Sequence, residues 1–381
     1  MKKILFALLL SIPALAFSQN KLTVNNYEFR AVKDNDAFSV QDQHITGTCW
    51  SFSTLSFLES EVMRIKDIDV KLSEMWIVRN TYIEKAERYV RFHGMVNFDQ
   101  GGAAHDVTEM IKKYGVVPQE VYSGLEYGTD KHYHSELRNV LRAMCDEIIK
   151  NPNRKLSTAW REAIVGVVDA YLGKPIEKFE YEGRSYSPMA FADFLGINPD
   201  DYVVITSFTH QPMYKPFIIE LPDNWLHKMA YNVTLDEMME ITDYSIDRGY
   251  TISWAADVSE TGFSHRNSVA IWPKGGFDGM DRNEISEFIK SPQEQELVTA
   301  DSRQEGYDNY TTTDDHGMHI TGMYREKNGD MYFKVKNSWG TDSNEQDGYL
   351  FASEAYLRAK TIDIMVHKDA IPRAIKKKLG I

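Results

Sequence analysis

The chain has 381 residues, and 56 Asp and Glu against 43 Lys and Arg give it a formal net charge of −13 at pH 7. An acidic surface repels phosphate backbones, so nucleic acid is not expected as a partner. Without a leader sequence, about 360 residues remain, which is enough for one large core or two lobes.

The first twenty residues, MKKILFALLLSIPALAFSQN, combine a basic start at Lys2 and Lys3 with a short apolar run and small residues. This order is typical of a secretory signal peptide, and the run is too short to span a bilayer comfortably. We therefore predict a signal peptide over residues 1–18, cleaved after Ala16 or Ser18. The mature chain is expected to be exported, to a periplasm or beyond, without a membrane anchor.

The first half of the mature chain is predicted to be helical. After a polar lead-in to about residue 40, CWSFSTLSFLESEVMRI has apolar residues at helical spacing. KLSEMWIVRNTYIEKAERYV predicts a second helix with Ser73 as its cap. FDQGGAAHDVTEMIKKYGVVP predicts a Gly-Gly turn and a helix that ends at Tyr114-Gly115. Residues 133 to about 175 again have a helical pattern.

The last third of the chain is predicted to be rich in strands. Residues 176 to 247 are mixed and end in the helical TLDEMMEITDYSID, after which YTISWAADV reads as a strand. HITGMYREKNGDMYFKVKNSWG predicts a hairpin around Asn328-Gly329, and GYLFAS and IDIMVH predict further strands. Helices first and strands later favour an α+β fold over an alternating βαβ sheet.

The two cysteines, Cys49 and Cys145, have two interpretations. In an oxidising compartment they could form a disulfide, which the count alone slightly favours. Alternatively, Cys49 is a reactive thiol and Cys145, inside a helical run, is a small buried hydrophobe. Thr48 precedes Cys49 and a helix runs on from Trp50, so the sulfur would lie at a helix N-terminus, which lowers a thiol pKa.

A catalytic thiol needs a base, a group that orients the base and a donor for the oxyanion. His316 in DDHGMHITGMY and Asn337 in VKNSWG are the candidates for base and orienting group. Gln43, six residues before Cys49, can reach the same cleft as the Cys49 backbone N–H. His319 competes with His316, but residues three apart on a strand point to opposite faces.

These segments resemble papain-like cysteine peptidases. QDQHITGTCWSFS is similar to the active-site segment of that family, HGMHITG to its histidine strand, and NSWG followed by GYLFAS to its asparagine segment. DQGGAAHD matches the Gly-Gly pair that runs beside the substrate backbone, and LSEMWIVRN matches a Leu-Ser-Glu helix start. The pieces occur in the family's chain order across residues 41–351, so we expect a papain-like fold of two lobes.

The resemblance implies a role for each matching residue. Gly322 lies six residues after His316, as a Gly or Ala does in the family, so His316 is chosen and His319 is expected to be a packed or surface residue. The implied site comprises Cys49 as nucleophile, His316 as base and acid, Asn337 as orienting group, Gln43 as oxyanion donor, Trp339 as a shield of the His–Asn bond, and Gly101, Gly102, Trp50 and Ala256 as substrate-binding residues.

The spacing indicates one branch of this family. Cys49 and His316 are 267 residues apart, against about 130–150 in papain, and YGVVPQEVY and ISWAADV resemble the bleomycin hydrolase and aminopeptidase C branch. This implies an N-terminal helical lobe (19–130), a mixed, mainly helical, hook-like insertion (131–240) and a β-rich lobe (241–381). In that branch the insertion builds a hexameric ring, so a homo-oligomer is expected.

Two features depart from the branch. The members of that branch are cytoplasmic, whereas this chain is expected to be exported. They also have a longer C-terminal arm, whose terminal carboxylate binds the substrate amine, whereas here only RAIKKKLGI follows IDIMVHKDAIP. The expected function is an exported thiol aminopeptidase acting on peptides, with an exported endopeptidase or a catalytically silent peptide-binding protein as alternatives. No cofactor or metal is expected; His132 and His134 in KHYH are interpreted as a solvated loop rather than a metal site.

Overall fold

A computed structural model describes residues 21–381, and the predicted signal peptide lies outside these residues. The helices are α1 (Cys49–Lys66), α2 (Glu74–Arg91), α3 (Ala104–Tyr114), α4 (Ser135–Ile149), α5 (Trp160–Leu172), α6 (Pro188–Leu195), α7 (Leu235–Asp247), α8 (Arg282–Ile289), α9 (Ala300–Asp308), α10 (Glu354–Lys360) and α11 (Arg373–Leu379). No helix among the described residues is long and apolar enough to cross a membrane.

The strands form one large mixed sheet and a separate small hairpin. They are β1 (Lys21–Val24), β2 (Tyr27–Asp34), β3 (Phe179–Tyr181), β4 (Arg184–Tyr186), β5 (Tyr202–Thr206), β6 (Pro216–Ile218), β7 (Met229–Asn232), β8 (Ile252–Ala256), β9 (Phe263–Ser264), β10 (Val269–Ala270), β11 (His316–Glu326), β12 (Met331–Lys336), β13 (Tyr349–Ser353) and β14 (Thr361–His367). The α+β class is therefore confirmed.

Helix α1 is the central element of the helical lobe. Its residues are buried without interruption from Trp50 to Val62, because helices α2 and α3 pack on one side and strands β8 and β11 on the other. As predicted, Ser73 caps α2 by accepting a hydrogen bond from the Trp76 N–H. Helix α3 ends as predicted at Tyr114, where Gly115 takes up a φ of 67° that favours glycine.

Strand β11 organises the β-rich lobe. It pairs with β12 along one edge, and with β8 and then β2 along the other. The β11–β12 pair is the hairpin predicted around Asn328-Gly329, with Gly329 at a φ of 105°. The buried faces of these strands form a core with α7 and α10.

Two segments contribute strands to this sheet, although the sequence analysis assigned one to a polar lead-in and the other to the insertion. The polar lead-in contains the hairpin β1–β2, because Tyr27 and Phe29 are fully buried and pack on Tyr332 and Phe351. Within the predicted insertion, β5 pairs with β14 in the main sheet, while helices α4 and α5 pack on α2.

The histidines of KHYH are not solvated. His132 and His134 are both buried, and the His134 ring packs edge-on against Tyr82 in the helical lobe. The prediction of an exposed loop was wrong here because the segment leads directly into α4, which packs on the helical core.

The two lobes meet most closely where β11 crosses the first turn of α1. Gly317 lies so near α1 that a Cβ atom on it would be 2.6 Å from the Ser53 Oγ and 3.3 Å from the Trp50 Cα. A side chain at this position would therefore require the Ser53 hydroxyl to move and the backbones of β11 and α1 to shift apart slightly. The absence of a side chain at Gly317 sets the separation of the two lobes at the site.

We expect Gly317→Ala to destabilise the protein by about 1–3 kcal/mol, the usual effect of overpacking a close contact. Gly166→Ala is the matched control, because Gly166 lies inside α5 with no atom within 4 Å of its Cβ position. The control should be neutral or stabilising by up to about 1 kcal/mol. Urea unfolding of both variants measures this, and a Gly317→Ala protein as stable as wild type would contradict the close contact.

Candidate active site

A cleft of about 400 Å³ lies between the lobes. The first turn of α1 and the loop from Gln100 to Ala104 form its helical side. Strands β8 and β11, with the segment that precedes β11, form the opposite side, and residues 219–230 border it. Cys49 and His316 both line this cleft.

Cys49 is a free thiol at the first position of α1. Burial raises the pKa of this thiol to about 12, and the carboxylates of Asp314 and Asp223 add to the effect. Hydrogen bonds from the N–H groups of Gly317 and Trp50 act in the opposite direction. The lowering expected from the helix N-terminus is therefore outweighed, because the thiol is desolvated and faces carboxylates.

His316 is held by Asn337. The His316 Nε2 and the Asn337 Oδ1 are 2.7 Å apart. Because the amide oxygen only accepts, Nε2 carries the proton, and Nδ1 is the nitrogen that can accept one. Burial lowers the pKa of His316 to about 4, although the hydrogen bond to Asn337 favours the charged form. Burial therefore favours the uncharged form of the thiol and of the imidazole.

Asn337 is itself fixed by a chain of hydrogen bonds that the sequence analysis missed. Its Nδ2 donates to the His265 Nδ1 at 3.2 Å. The His265 Nε2 then donates to the Ser343 Oγ at 2.8 Å, and the Ser343 hydroxyl donates to the Gly340 carbonyl at 2.6 Å. The Asn337 Oδ1 also accepts from the Ser338 N–H at 2.8 Å, so the amide of Asn337 has one favoured orientation, with its oxygen towards His316.

Trp339 covers the two histidines. Its ring centroid lies 4.9 Å from that of His316 and 4.7 Å from that of His265. Burial, together with the nearby His316, lowers the pKa of His265 to about 4. His265 is therefore neutral, as its role as an acceptor from Asn337 requires.

The segment before α1 is tied to both lobes. Gln43 is buried, its Nε2 donates to the Thr46 carbonyl at 2.7 Å, and its Oε1 accepts from the Ser338 Oγ at 2.6 Å. One N–H of the Gln43 amide remains for another acceptor. The backbone N–H of Cys49 has no acceptor among the described residues. These two N–H groups are the available donors for an oxyanion.

Gly101 and Gly102 both line the cleft, but they differ in availability. The Gly101 carbonyl accepts from the buried Lys85 ammonium, and Asp223 lies against its Cα, where a Cβ would be 1.9 Å from the carboxylate. Gly102 has no backbone hydrogen bond within the described chain, and a Cβ there would be 3.0 Å from the Trp50 ring. Gly102 is therefore the glycine free to pair with a peptide.

Two further predicted positions need comment. Trp50 lines the cleft, and its Nε1 donates to the Gln100 carbonyl at 3.0 Å. Ala256, predicted to bind substrate, is fully buried in the β-rich core, and Ala255 lines the cleft instead. The error is one residue, which on a strand moves a side chain to the opposite face. His319 is buried, with its Nδ1 2.9 Å from the Ser56 Oγ.

Comparison with known families matches the Peptidase C1-like family over residues 12–380. The chain belongs to that family. The match spans almost the whole chain, and it confirms the predicted enzyme class, a cysteine peptidase.

Individual relatives confirm the predicted aminopeptidase C branch. Aminopeptidase C of Lactococcus lactis subsp. lactis (strain IL1403) is 24% identical over 369 residues, covering 87% of this chain and 81% of the relative. Aminopeptidase C of Streptococcus thermophilus is 23% identical over 376 residues, covering 87% and 80%. The crystal structure of PepW from Lactobacillus rhamnosis HN001 superposes with a TM-score of 0.71 at 20% identity, covering 92% of this chain and 84% of PepW. The fold is therefore shared.

His265→Ala should lower kcat by about tenfold with little change in KM, because loss of one hydrogen bond of ~1–1.5 kcal/mol frees Asn337 to rotate. His265→Gln can accept from Asn337 and donate to Ser343, so it should stay within about threefold of wild type. Steady-state kinetics and thermal midpoints of both variants measure this. Equal losses in the two variants, or a loss confined to KM, would contradict a positioning role for His265.

Proposed function

We propose that the protein is an exported thiol aminopeptidase in which Cys49 is the nucleophile, His316 the base and acid, and Asn337 the group that orients the imidazole. The observation that carries this proposal is the placement of Cys49 and the His316–Asn337 pair in one cleft. The names of the relatives, which are aminopeptidases, support the preference for a free amino terminus.

The geometry supports a definite order of proton movements. His316 Nδ1 takes the thiol proton as the Cys49 sulfur bonds to the substrate carbonyl carbon, which avoids a free thiolate beside the cleft carboxylates. The oxyanion accepts from the Cys49 N–H and the remaining N–H of Gln43. The imidazolium then protonates the leaving amine as the C–N bond breaks. Water, deprotonated by His316, attacks the thioester and releases the acid and Cys49.

Trp339 supports this scheme by excluding water from the His316–Asn337 hydrogen bond, which strengthens the bond in a low-dielectric environment. Gly102 offers its free backbone N–H and carbonyl to the substrate backbone. Trp50 forms the wall against which that peptide would lie.

An endopeptidase is the second candidate, and one observation favours it. Helix α11 packs its Ile375 and Leu379 into the β-rich core, and among the described residues none after Asp363 lines the cleft. Ile381 therefore lies outside the cleft that contains Cys49. A cleft without an anchor for a free substrate amine would accept internal segments of a chain.

Export is proposed from the basic start, apolar run and small residues of the first twenty positions. A homo-oligomer stays a prediction from the resemblance, and sedimentation velocity on the purified protein checks it. A catalytically silent peptide-binding protein is the remaining alternative, and labelling of Cys49 by an active-site-directed epoxide in reduced protein would argue against it.

Under reducing conditions, we expect turnover of an amino acid amide with a free amine and little turnover of an N-acetylated dipeptide amide. Cys49→Ala should lower kcat by at least about 10⁴-fold, because the covalent step is lost. Cys145→Ala is the matched control, since Cys145 is buried in α4 away from the cleft. Fluorogenic assays measure both. Preferred turnover of the blocked substrate would identify an endopeptidase.

Expression of the full chain in a secreting bacterial host should give a mature protein that begins at Phe17 or Gln19, because cleavage is predicted after Ala16 or Ser18. Intact-protein mass spectrometry of the periplasmic and cytoplasmic fractions measures the N-terminus. Replacing Leu8 and Leu9 by Asp should retain the uncleaved chain in the cytoplasm. A wild-type chain that stays uncleaved in the cytoplasm would contradict export.

A further inference from the structure

One carboxylate in the cleft has no partner. Asp363 on β14 is 7% exposed and lines the cleft that contains Cys49 and His316. Among the described residues, no hydrogen bond or salt bridge reaches its side chain. An ionised carboxylate in such a place is costly unless a cation or hydrogen-bond donor reaches it.

The sheet register places Asp363 on the catalytic side of the sheet. Asp363 pairs with Ala255 on β8, and Ala255 pairs with Gly317 on β11. Directly paired residues point to the same face of a sheet. Asp363 therefore lies in one row with Gly317, which neighbours His316, and about 10 Å from Gly317 at the usual spacing of adjacent strands.

The surroundings of Asp363 in the cleft are acidic. Asp314, on the segment before β11, also lines the cleft without a hydrogen bond or salt bridge among the described residues. Burial, with Asp363, Asp223 and Asp315 nearby, raises the pKa of Asp314 well above its usual range. Asp223 differs because Asn97 donates to it at 2.8 Å and the Lys85 charge is close. Asp363 and Asp314 thus form an uncompensated pair.

Burial raises the pKa of Asp363 to about 7, with no compensating charge or hydrogen bond among the causes. The group is therefore at the border of ionisation at neutral pH, and a cation that enters the cleft would stabilise the charged form. A carboxylate hydrogen-bonded to an ammonium or guanidinium is among the stronger polar contacts in proteins.

We propose that Asp363, assisted by Asp314, binds a cationic group of the substrate, either its terminal ammonium or a basic side chain. This inference rests on the proposed peptidase function and names the substrate feature that the cleft selects. It also provides an anchor for that group inside the cleft.

The test compares three fluorogenic substrates on the mature protein. The first is an amino acid amide with a free amine and an uncharged side chain. The second is an N-acetylated dipeptide amide with uncharged side chains. The third is the same blocked dipeptide with arginine as its first residue. Asp363→Asn removes the charge at nearly constant volume, and Asp278→Asn is the matched control, since Asp278 is exposed outside the cleft.

If the terminal ammonium is bound, Asp363→Asn lowers kcat/KM at least tenfold for the free-amine substrate and less than threefold for the uncharged blocked one. If a basic side chain is bound, the tenfold loss is confined to the arginine substrate. Asp278→Asn should change none of the three by more than twofold. Equal effects of Asp363→Asn on all substrates that are cleaved, or no effect on any, would overturn the proposal.

The wild-type protein separates this inference from the proposed function. Turnover of blocked substrates only would reject the aminopeptidase, while the arginine comparison still tests Asp363. Asp314→Asn is the second variant, and its loss should follow the same substrate pattern as that of Asp363→Asn, but more weakly. Thermal midpoints not lower than that of wild type show that both variants fold.

Discussion

The contact of Gly317 with the first turn of α1 is the constraint on which the site depends. It lets β11 approach Ser53 and Trp50 within van der Waals distance. His316 directly precedes Gly317 and is the first residue of that strand. The same approach places the Gly317 N–H where it can donate to the Cys49 sulfur. A bulkier residue would move His316 away from Cys49, because packed interiors do not absorb even one added methyl group without a shift.

The charges of the cleft act against a free thiolate. Desolvation and two carboxylates raise the pKa of Cys49, and burial lowers that of His316. The helix N-terminus supplies only partial charge and cannot offset these effects. The proposed reaction therefore depends on direct proton transfer to His316, and the orientation of its ring matters more than a standing ion pair. That orientation is set by Asn337, His265 and Trp339 together.

The sequence predicted the parts of the site that are encoded locally. Cys49, His316 and Asn337 each stand in a recognisable segment, and the Ser73 cap and the Asn328-Gly329 turn depend on near neighbours. His265 was missed because its partners, Asn337 and Ser343, are distant in the chain, and SHRN carries no signal of its own. The prediction of Ala256 as a substrate-binding residue was off by one position. Successive side chains on a strand point to opposite faces, so Ala255 lines the cleft instead. Asp363 did carry a signal, an acid inside the apolar run IDIMVH.

The pairing of β2 with β11 has a consequence for how the chain is made. Strand β2 is synthesised first, yet its partner appears almost three hundred residues later. Cys49 likewise precedes His316, its proposed base, by 267 residues. Loop closure over such distances is slow, so the helical lobe can form before the sheet is complete. A partly synthesised chain therefore contains Cys49 but not His316, and the proposed site is complete only when the last third of the protein has folded.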